Sequence, residues 1–151
     1  MKIDGTYAFK APQDKVWEIF NTVEYLQEAL PGCEKLEEVE PGKYDVYLKI
    51  GISAVKGKYK GKFEIADPRP PNSYKLIGEG KGLPGFVKGE ALIELSTEGE
   101  GTLLAYHGDM QVGGLLAGIG QRMIGGISKM MLEQFFKSIE KIVNQKGNIG
   151  G

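Results

Sequence analysis

The change in hydrophobic period along the chain constrains the fold more than any other feature of this sequence. From Cys33 to Val112, apolar and polar residues alternate, which is typical of strands with one buried face. After Gly113-Gly114 the period becomes 3.6 and stays so for about thirty residues, as in an amphipathic helix. A sheet with one apolar face must cover that face, and one long helix is large enough to do so. The pattern therefore predicts an α+β domain.

Turn residues divide the alternating segment into short strands, and one further strand precedes it. Residues 2–10 alternate as a strand, and two short helices follow, the second ending at Pro31-Gly32. The later strands are predicted at 34–40, 43–52, 55–65, 73–81, 86–96 and 102–112. We expect a curved, seven-stranded antiparallel sheet wrapped around a long C-terminal helix. The domain is predicted to span 1–146, with a frayed tail at 147–151.

Composition excludes several classes of function. Nineteen Lys and Arg residues face 20 Asp and Glu residues, so no global field attracts nucleic acid. Cys33 is the only cysteine, which favours a reducing, cytoplasmic compartment. The longest uncharged run, Met110 to Gln121, is well short of the ~20 residues that a membrane span needs. We expect a cytoplasmic protein that is at most peripheral to the inner membrane surface.

Glycine is unusually abundant, at 23 of 151 residues, and several glycines lie on the predicted inward face of the strands. Glycine inside a strand costs about 0.5–1 kcal/mol relative to alanine, so the excess needs a structural reason. The glycines either let the sheet bend around the helix or leave volume beneath it for a ligand. Both explanations stay open, and either one predicts an apolar cavity.

Six ordered motifs resemble one known family. They are Val16-Trp17, Leu30 to Glu34, Val55-Lys56-Gly57 with Gly61, Gly82 to Gly89, Thr102 to Tyr106, and Val112 to Gly120. The set is similar to the CoxG family of carbon monoxide dehydrogenase subunits, within the START/Bet v 1-like (SRPBCC, helix-grip) superfamily. The motifs span nearly the whole chain.

The resemblance implies a non-enzymatic accessory protein for molybdenum-containing carbon monoxide dehydrogenases or related hydroxylases. Members of the family are linked to maturation, membrane recruitment or quinone handling for those enzymes. Many carry an apolar C-terminal anchor after the domain, whereas this sequence stops at Gly151. The expected ligand is a hydrophobic small molecule, such as a quinone or a lipid, and no cofactor is predicted.

The inward apolar pattern gives a set of predicted ligand-binding residues. They are Trp17, Ile50, Tyr59, Phe63, Leu76, Phe86, Ile93, Leu104, Tyr106, Met123, Ile127, Met131 and Phe135. A second candidate surface is the outward stripe of Lys56, Lys58, Lys60 and Lys62. Such a stripe is a solvated strand face or a docking patch for an acidic partner or an anionic headgroup.

Gly113 to Gly126 is apolar apart from Arg122, and two interpretations of it stay open. It is either a surface for transient membrane contact or homodimer formation, or it packs against the two short helices. We favour the packing.

Two other functions remain as alternatives. One is an enzyme of the polyketide cyclase or dehydratase kind, which would need acid–base groups inside the cavity. The only histidine, His107, shares its strand face with Asp109 and is predicted to point outward, so neither catalysis nor a metal site is expected there. Cys33 precedes acidic residues, which disfavour a reactive thiolate. The other alternative is a protein–protein adaptor with a filled core.

Overall fold

The elements follow the predicted order in a computed structural model of the chain. The strands are β1 (Lys2–Phe9), β2 (Cys33–Glu40), β3 (Lys43–Ile50), β4 (Gly57–Arg69), β5 (Ser73–Gly82), β6 (Gly85–Glu98) and β7 (Gly101–Gly113). The helices are α1 (Gln13–Phe20), α2 (Val23–Ala29) and α3 (Gln121–Gly150), with 3₁₀ helices at Ser53–Val55 and Gly114–Ile119. The structure describes the backbone of residues 1–150 and the side chains of residues 1–145. The tail expected at 147–151 lies outside the residues described with side chains.

The seven strands form one antiparallel sheet in the order β1-β7-β6-β5-β4-β3-β2. Together with the long helix and the two short ones, this architecture confirms the predicted fold class. Odd and even positions segregate as expected: in β4, for example, Tyr59 is half-buried while Lys58 and Lys60 are exposed. None of the described helices is long and apolar enough to cross a membrane.

The start of the C-terminal helix differs from the prediction. Helical periodicity begins after Gly113-Gly114, but the chain first forms a 3₁₀ helix and α3 starts only at Gln121. Gly120, at a φ of 96°, interrupts the helical conformation between the 3₁₀ helix and α3. The expectation that Gly113 to Gly126 packs against α1 and α2 is also wrong. The 3₁₀ helix packs on β6 and β7 instead, and Leu116 N–H donates a hydrogen bond of 2.9 Å to the Pro84 carbonyl.

The apolar interior divides into two clusters at opposite ends of α3. The larger cluster joins α1, α2 and the sheet to the C-terminal half of α3, where Phe136 and Ile139 are buried. In the same cluster the buried Thr102 hydroxyl donates a 2.7 Å hydrogen bond to the Ala11 carbonyl. The smaller cluster surrounds Ile50, Val55, Leu116 and Ile124 at the N-terminal end of α3. This second end of the molecule is the less filled one.

Candidate functional site

An apolar cavity of about 330 Å³ lies at the smaller cluster, between the inner face of the sheet and the first turns of α3. Its lining residues are Val46, Leu48, Ile50, Val55, Tyr59, Gly61, Gly78, Glu79, Gly80, Val87, Met110, Leu116, Ile124, Ile127, Ser128 and Met131. Most of these side chains are aliphatic or thioether groups. The cavity is therefore suited to an apolar ligand.

The cavity exists because two neighbouring strands carry glycine in the same cross-strand row. Val46 pairs with Gly61, Gly61 with Gly80, and Gly80 with Val87. A Cβ atom added at Gly80 would find its nearest neighbours only at 3.9 Å, an ordinary contact distance. Gly80 therefore lacks a side chain where one would fit. The missing side chain leaves volume for a ligand.

Other inward glycines are required by close approach of the backbone. A Cβ atom at Gly61 would lie 2.6 Å from the carbonyl oxygen of Glu79, far inside contact distance. At Gly82 and Gly89 an added Cβ would clash in the same way with the carbonyl oxygens of Lys58 and Asp109. These glycines let the sheet curve. Both explanations of the glycine excess are therefore correct, each at different positions.

Polar side chains contribute little to the cavity wall, because the Glu79 carboxylate lies on the outer face, 3.8 Å from Lys62. The Tyr59 hydroxyl donates a 2.6 Å hydrogen bond to the carbonyl of Val55, four residues earlier. Burial raises the pKa of Tyr59, so the phenol is protonated at neutral pH. Ser128 adds a second hydroxyl from α3. The wall offers at most two neutral hydroxyl groups with which to orient a ligand.

Four of the residues predicted to bind a ligand line the cavity: Ile50, Tyr59, Ile127 and Met131. Seven others belong to the larger cluster, where they pack against other side chains; they are Trp17, Phe63, Leu76, Ile93, Leu104, Tyr106 and Phe135. Trp17, for example, packs edge to face on Tyr74, with the ring centroids 5.6 Å apart. Most of the aromatic residues that were predicted to bind a ligand thus lie in the filled larger cluster and not at the cavity.

The remaining two predicted residues do not face the interior. Phe86 is 45% exposed, because it lies one residue before Val87 and so points to the opposite face of β6. Its ring covers the backbone of Gly113 on the outer side of the sheet. Met123 is 54% exposed, whereas the next residue, Ile124, is buried. Both predictions are corrected: neither side chain lines the cavity.

Several lining residues were not selected from the sequence. They include Val46, Leu48, Val55, Val87, Met110, Leu116, Ile124 and Ser128. Most of them share the inward register, so alternation had placed them on the correct face. The alternation did not show which cross-strand row of the sheet lacks side chains and so leaves a cavity. A cross-strand alignment of Gly61 with Gly80 is the signal that would have located it.

The other candidate chemistry lies outside the cavity. His107 is on the outer face, 4.0 Å from Glu94, and its side chain is 62% exposed. Burial raises the pKa of the Cys33 thiol, which disfavours the reactive thiolate. Among the described residues, no group of three or more His, Cys, Asp or Glu side chains is arranged to hold a metal ion.

Lys58, Lys60 and Lys62 are exposed on the outer face of β4, as their register predicts, whereas Lys56 is exposed just before β4 begins. Lys62 lies 3.8 Å from Glu79, and the Lys60 ammonium sits 5.6 Å from the ring centre of Tyr47. An exposed ion pair of this length contributes little to stability. The stripe is available to a partner.

A family model for the CoxG subunits of carbon monoxide dehydrogenase matches residues 5–144. No protein of curated function matches the chain. A solved structure of a conserved protein from Geobacillus kaustophilus is 40% identical, with a TM-score of 0.93 and coverage of 96% of each chain.

More distant solved structures share the fold. A START superfamily protein from Mycobacterium smegmatis is 15% identical, with a TM-score of 0.74, over 95% of this chain and 97% of that one. An aromatase/cyclase from a Streptomyces species is 16% identical, also with a TM-score of 0.74, over 100% of this chain and 98% of that one. At such identities the similarity shows the helix-grip fold alone.

Proposed function

This chain belongs to the CoxG family of carbon monoxide dehydrogenase subunits, and we propose that it binds and carries an apolar small molecule without converting it. The observation that carries the proposal is the apolar cavity of about 330 Å³ beside Gly80. The fold supports the proposal as well. The sheet and the long helix that frame the cavity are shared with the START superfamily protein from Mycobacterium smegmatis.

The size and lining of the cavity narrow the class of ligand. Small-molecule sites span about 300–1,000 Å³, so this cavity is at the small end of the range. It suits a ring system or a single chain segment better than a lipid with two acyl chains. A quinone head group meets these conditions, since it is flat, uncharged and able to accept a hydrogen bond from the Ser128 hydroxyl.

The hydrogen bond and the protonation of the Tyr59 hydroxyl favour a binding role over catalysis. The Tyr59 proton is already donated to the Val55 carbonyl, and the raised pKa makes the phenolate base scarce at neutral pH. A cyclase would need groups in the cavity that give and take protons near that pH. We therefore expect Tyr59→Phe to leave ligand affinity within about threefold, with no turnover to lose.

The family description supports a further step, that the carried molecule serves a redox enzyme of the molybdenum-containing carbon monoxide dehydrogenase type. We place this exchange in the cytoplasm. Affinity purification of the tagged chain from its native host, under gentle conditions, should recover such an enzyme. Recovery of unrelated partners only, in repeated preparations, would remove the enzyme from the proposal but leave the binding function intact.

The binding function itself is tested by native mass spectrometry and by titration with a short-chain quinone. Wild-type protein should take up one equivalent, whereas Gly80→Leu should lose at least ~10-fold in affinity because the new side chain occupies the cavity. Lys75→Leu is the matched control, since it adds the same side chain to the outer face of the same strand. Equal affinity of wild type and Gly80→Leu would refute the site.

A further inference from the structure

One cross-strand row on the outer face of the sheet places two lysines beside an exposed aromatic ring. Lys60 on β4 lies directly opposite Lys81 on β5, and Lys81 lies directly opposite Phe86 on β6. We call these three exposed residues the outer row. They line a groove of about 730 Å³, which is within the ~300–1,000 Å³ of small-molecule sites. The groove therefore offers positive charge and an aromatic surface together.

Phe86 presents a ring that the fold leaves uncovered. The ring lies on Gly113, the residue directly opposite it on β7, where an added Cβ atom would overlap the ring. Because Gly113 has no side chain, the ring rests on the strand and stays 45% exposed. Nucleic acid bases stack on exposed aromatic rings of this kind whatever their sequence, because every base has a π-face. The ring is thus suited to a flat aromatic group of a ligand.

The two lysines of the outer row have no anionic partner within the protein. Neither Lys60 nor Lys81 makes an ion pair with any residue whose side chain is described. Like charges at directly opposite positions destabilise a sheet. The adjacent row adds to the positive potential, since Lys49 lies directly opposite Lys58. An anion bound between Lys60 and Lys81 would remove the repulsion between them.

The next row along the strands limits the size of that anion. There, Lys62 lies opposite both Asp45 and Glu79, and Glu79 lies opposite Lys88. Opposite charges thus alternate in this row, whereas the outer row carries positive charge only. A polyanion that ran along the strands would meet the carboxylates of Asp45 and Glu79. The pattern therefore favours a compact anion over a long one.

The far end of the outer row does not offer a second ring for stacking. Tyr47 on β3 lies directly opposite Lys60, and its ring is half-buried. The ammonium groups of Lys35 and Lys60 lie 5.9 and 5.6 Å from the ring centre, at cation–π distance. The Tyr47 ring is therefore already in contact with two cations. A ligand of the outer row has one stacking partner, Phe86, and its charged groups lie toward β4.

We propose that the outer row binds a nucleoside diphosphate. The base stacks on the Phe86 ring, and the two phosphates contact the ammonium groups of Lys81 and Lys60. These lysines lie one and two strand spacings from Phe86, roughly 5 and 10 Å. Base, sugar and phosphates follow one another in the same order in the ligand. The site goes beyond the proposed function, because it lies on the face of the sheet opposite the cavity.

Isothermal titration calorimetry of the full chain with adenosine diphosphate tests the proposal. Wild-type protein should bind one equivalent in the micromolar range, and added salt should weaken the binding because phosphate contacts are screened. Adenosine lacks the phosphates and inorganic pyrophosphate lacks the base. Each of them should therefore bind at least ~10-fold more weakly than adenosine diphosphate.

Variants of the outer row separate the two halves of the ligand. Phe86→Leu keeps an apolar side chain on Gly113 but removes the flat ring, and it should lower the affinity for adenosine diphosphate about fivefold or more. Its affinity for inorganic pyrophosphate should not change. The double variant Lys60→Gln, Lys81→Gln should lower the affinity for adenosine diphosphate about tenfold, the product of two exposed charge contacts of about threefold each.

Matched controls lie elsewhere on the outer face. Leu92→Ala removes an apolar side chain that is 39% exposed on the same strand as Phe86, and Lys75→Gln removes another exposed lysine; neither should change the affinity. The cavity-filled Gly80→Leu variant should bind adenosine diphosphate like the wild type. Phe86→Leu should bind the short-chain quinone like the wild type. These two results separate the outer row from the proposed ligand site.

Three results would overturn the proposal. The first is the absence of binding at about 1 mM adenosine diphosphate, since a weaker interaction is not a specific site. The second is wild-type affinity of both Phe86→Leu and the double lysine variant. The third is tighter binding of a single-stranded oligonucleotide, with an affinity that grows with its length, which would make the outer face a nucleic acid surface instead.

Discussion

Gly80 and Gly61 are neighbours in one cross-strand row, yet the structure predicts opposite effects when each is replaced by valine. A Cβ atom at Gly80 would meet nothing closer than 3.9 Å, so its methyl groups would enter the cavity. A Cβ atom at Gly61 would lie 2.6 Å from a backbone oxygen, the Glu79 carbonyl. Backbone cannot rotate away as a side chain can. We therefore expect Gly80→Val to stabilise the fold and Gly61→Val to destabilise it.

The sizes of the two effects follow from separate contributions. Replacing a strand glycine removes a penalty of about 0.5–1 kcal/mol at either site. At Gly80, burying the valine side chain adds about 1 kcal/mol, below the 1.5–3 kcal/mol of full burial because the cavity is partly open. The expected gain in the free energy of unfolding is therefore about 1.5–2 kcal/mol. At Gly61, overpacking against backbone costs about 1–3 kcal/mol, which outweighs the gain from removing glycine.

Urea unfolding of the two variants and the wild type measures the difference. For a chain of 151 residues, 1 kcal/mol corresponds to about 2–4 °C in melting temperature, so thermal melts give a second readout. Quinone titration of the same samples should show weaker binding for Gly80→Val although that variant is the more stable one. If Gly80→Val were destabilised as strongly as Gly61→Val, no free volume would exist above Gly80, and the assignment of the cavity would fail.

Three further changes test other parts of the structure. Burial and the neighbouring Glu38 raise the pKa of Tyr44 to about 12, so the contribution of Tyr44 to stability should be constant below pH 10 and be lost as pH rises from 10 to 12; urea midpoints of Tyr44→Phe should fall less over that range. Thr102→Val removes the hydrogen bond to the buried Ala11 carbonyl and should lower the free energy of unfolding by about 1–3 kcal/mol in urea. Phe86→Ala should leave quinone affinity unchanged, since the ring lies on the outer face; a tenfold loss in titration would return Phe86 to the cavity wall.

The fold could be predicted because each strand is buried on one face only. In such a strand, alternation fixes the inward residues, and glycine and proline mark the turns. The errors occur where local signals compete. The predicted fourth strand ends at residue 65, yet β4 continues to Arg69 at the edge of its pairing. Helical periodicity suggested an early start for α3, but the glycines at 114, 118 and 120 favour a 3₁₀ helix followed by a break.

From the sequence, the face of the sheet that carries the site could be predicted, but not the position of the site on that face. The inward register identifies candidates on every strand, but it does not say which cross-strand row lacks side chains. Large aromatic residues looked like cavity walls, whereas Phe63 stacks on Tyr44 with ring centroids 4.8 Å apart and fills its own row. The row that leaves the cavity has valine at both ends and glycine between them: Val46, Gly61, Gly80 and Val87. Pairing register is a long-range property, so one sequence does not reveal it without the fold.

The distribution of glycine, lysine and leucine at one end of the molecule is best explained by a single role. A domain selected for stability alone would fill the space above Gly80, place an acid opposite Lys58, and keep Leu83 out of water. Each of these departures costs free energy, and all three occur around Leu116, whose side chain separates the cavity from the exposed loops that carry Leu83 and Leu115. We therefore expect these features to serve the binding of an apolar ligand in the cavity rather than the stability of the fold.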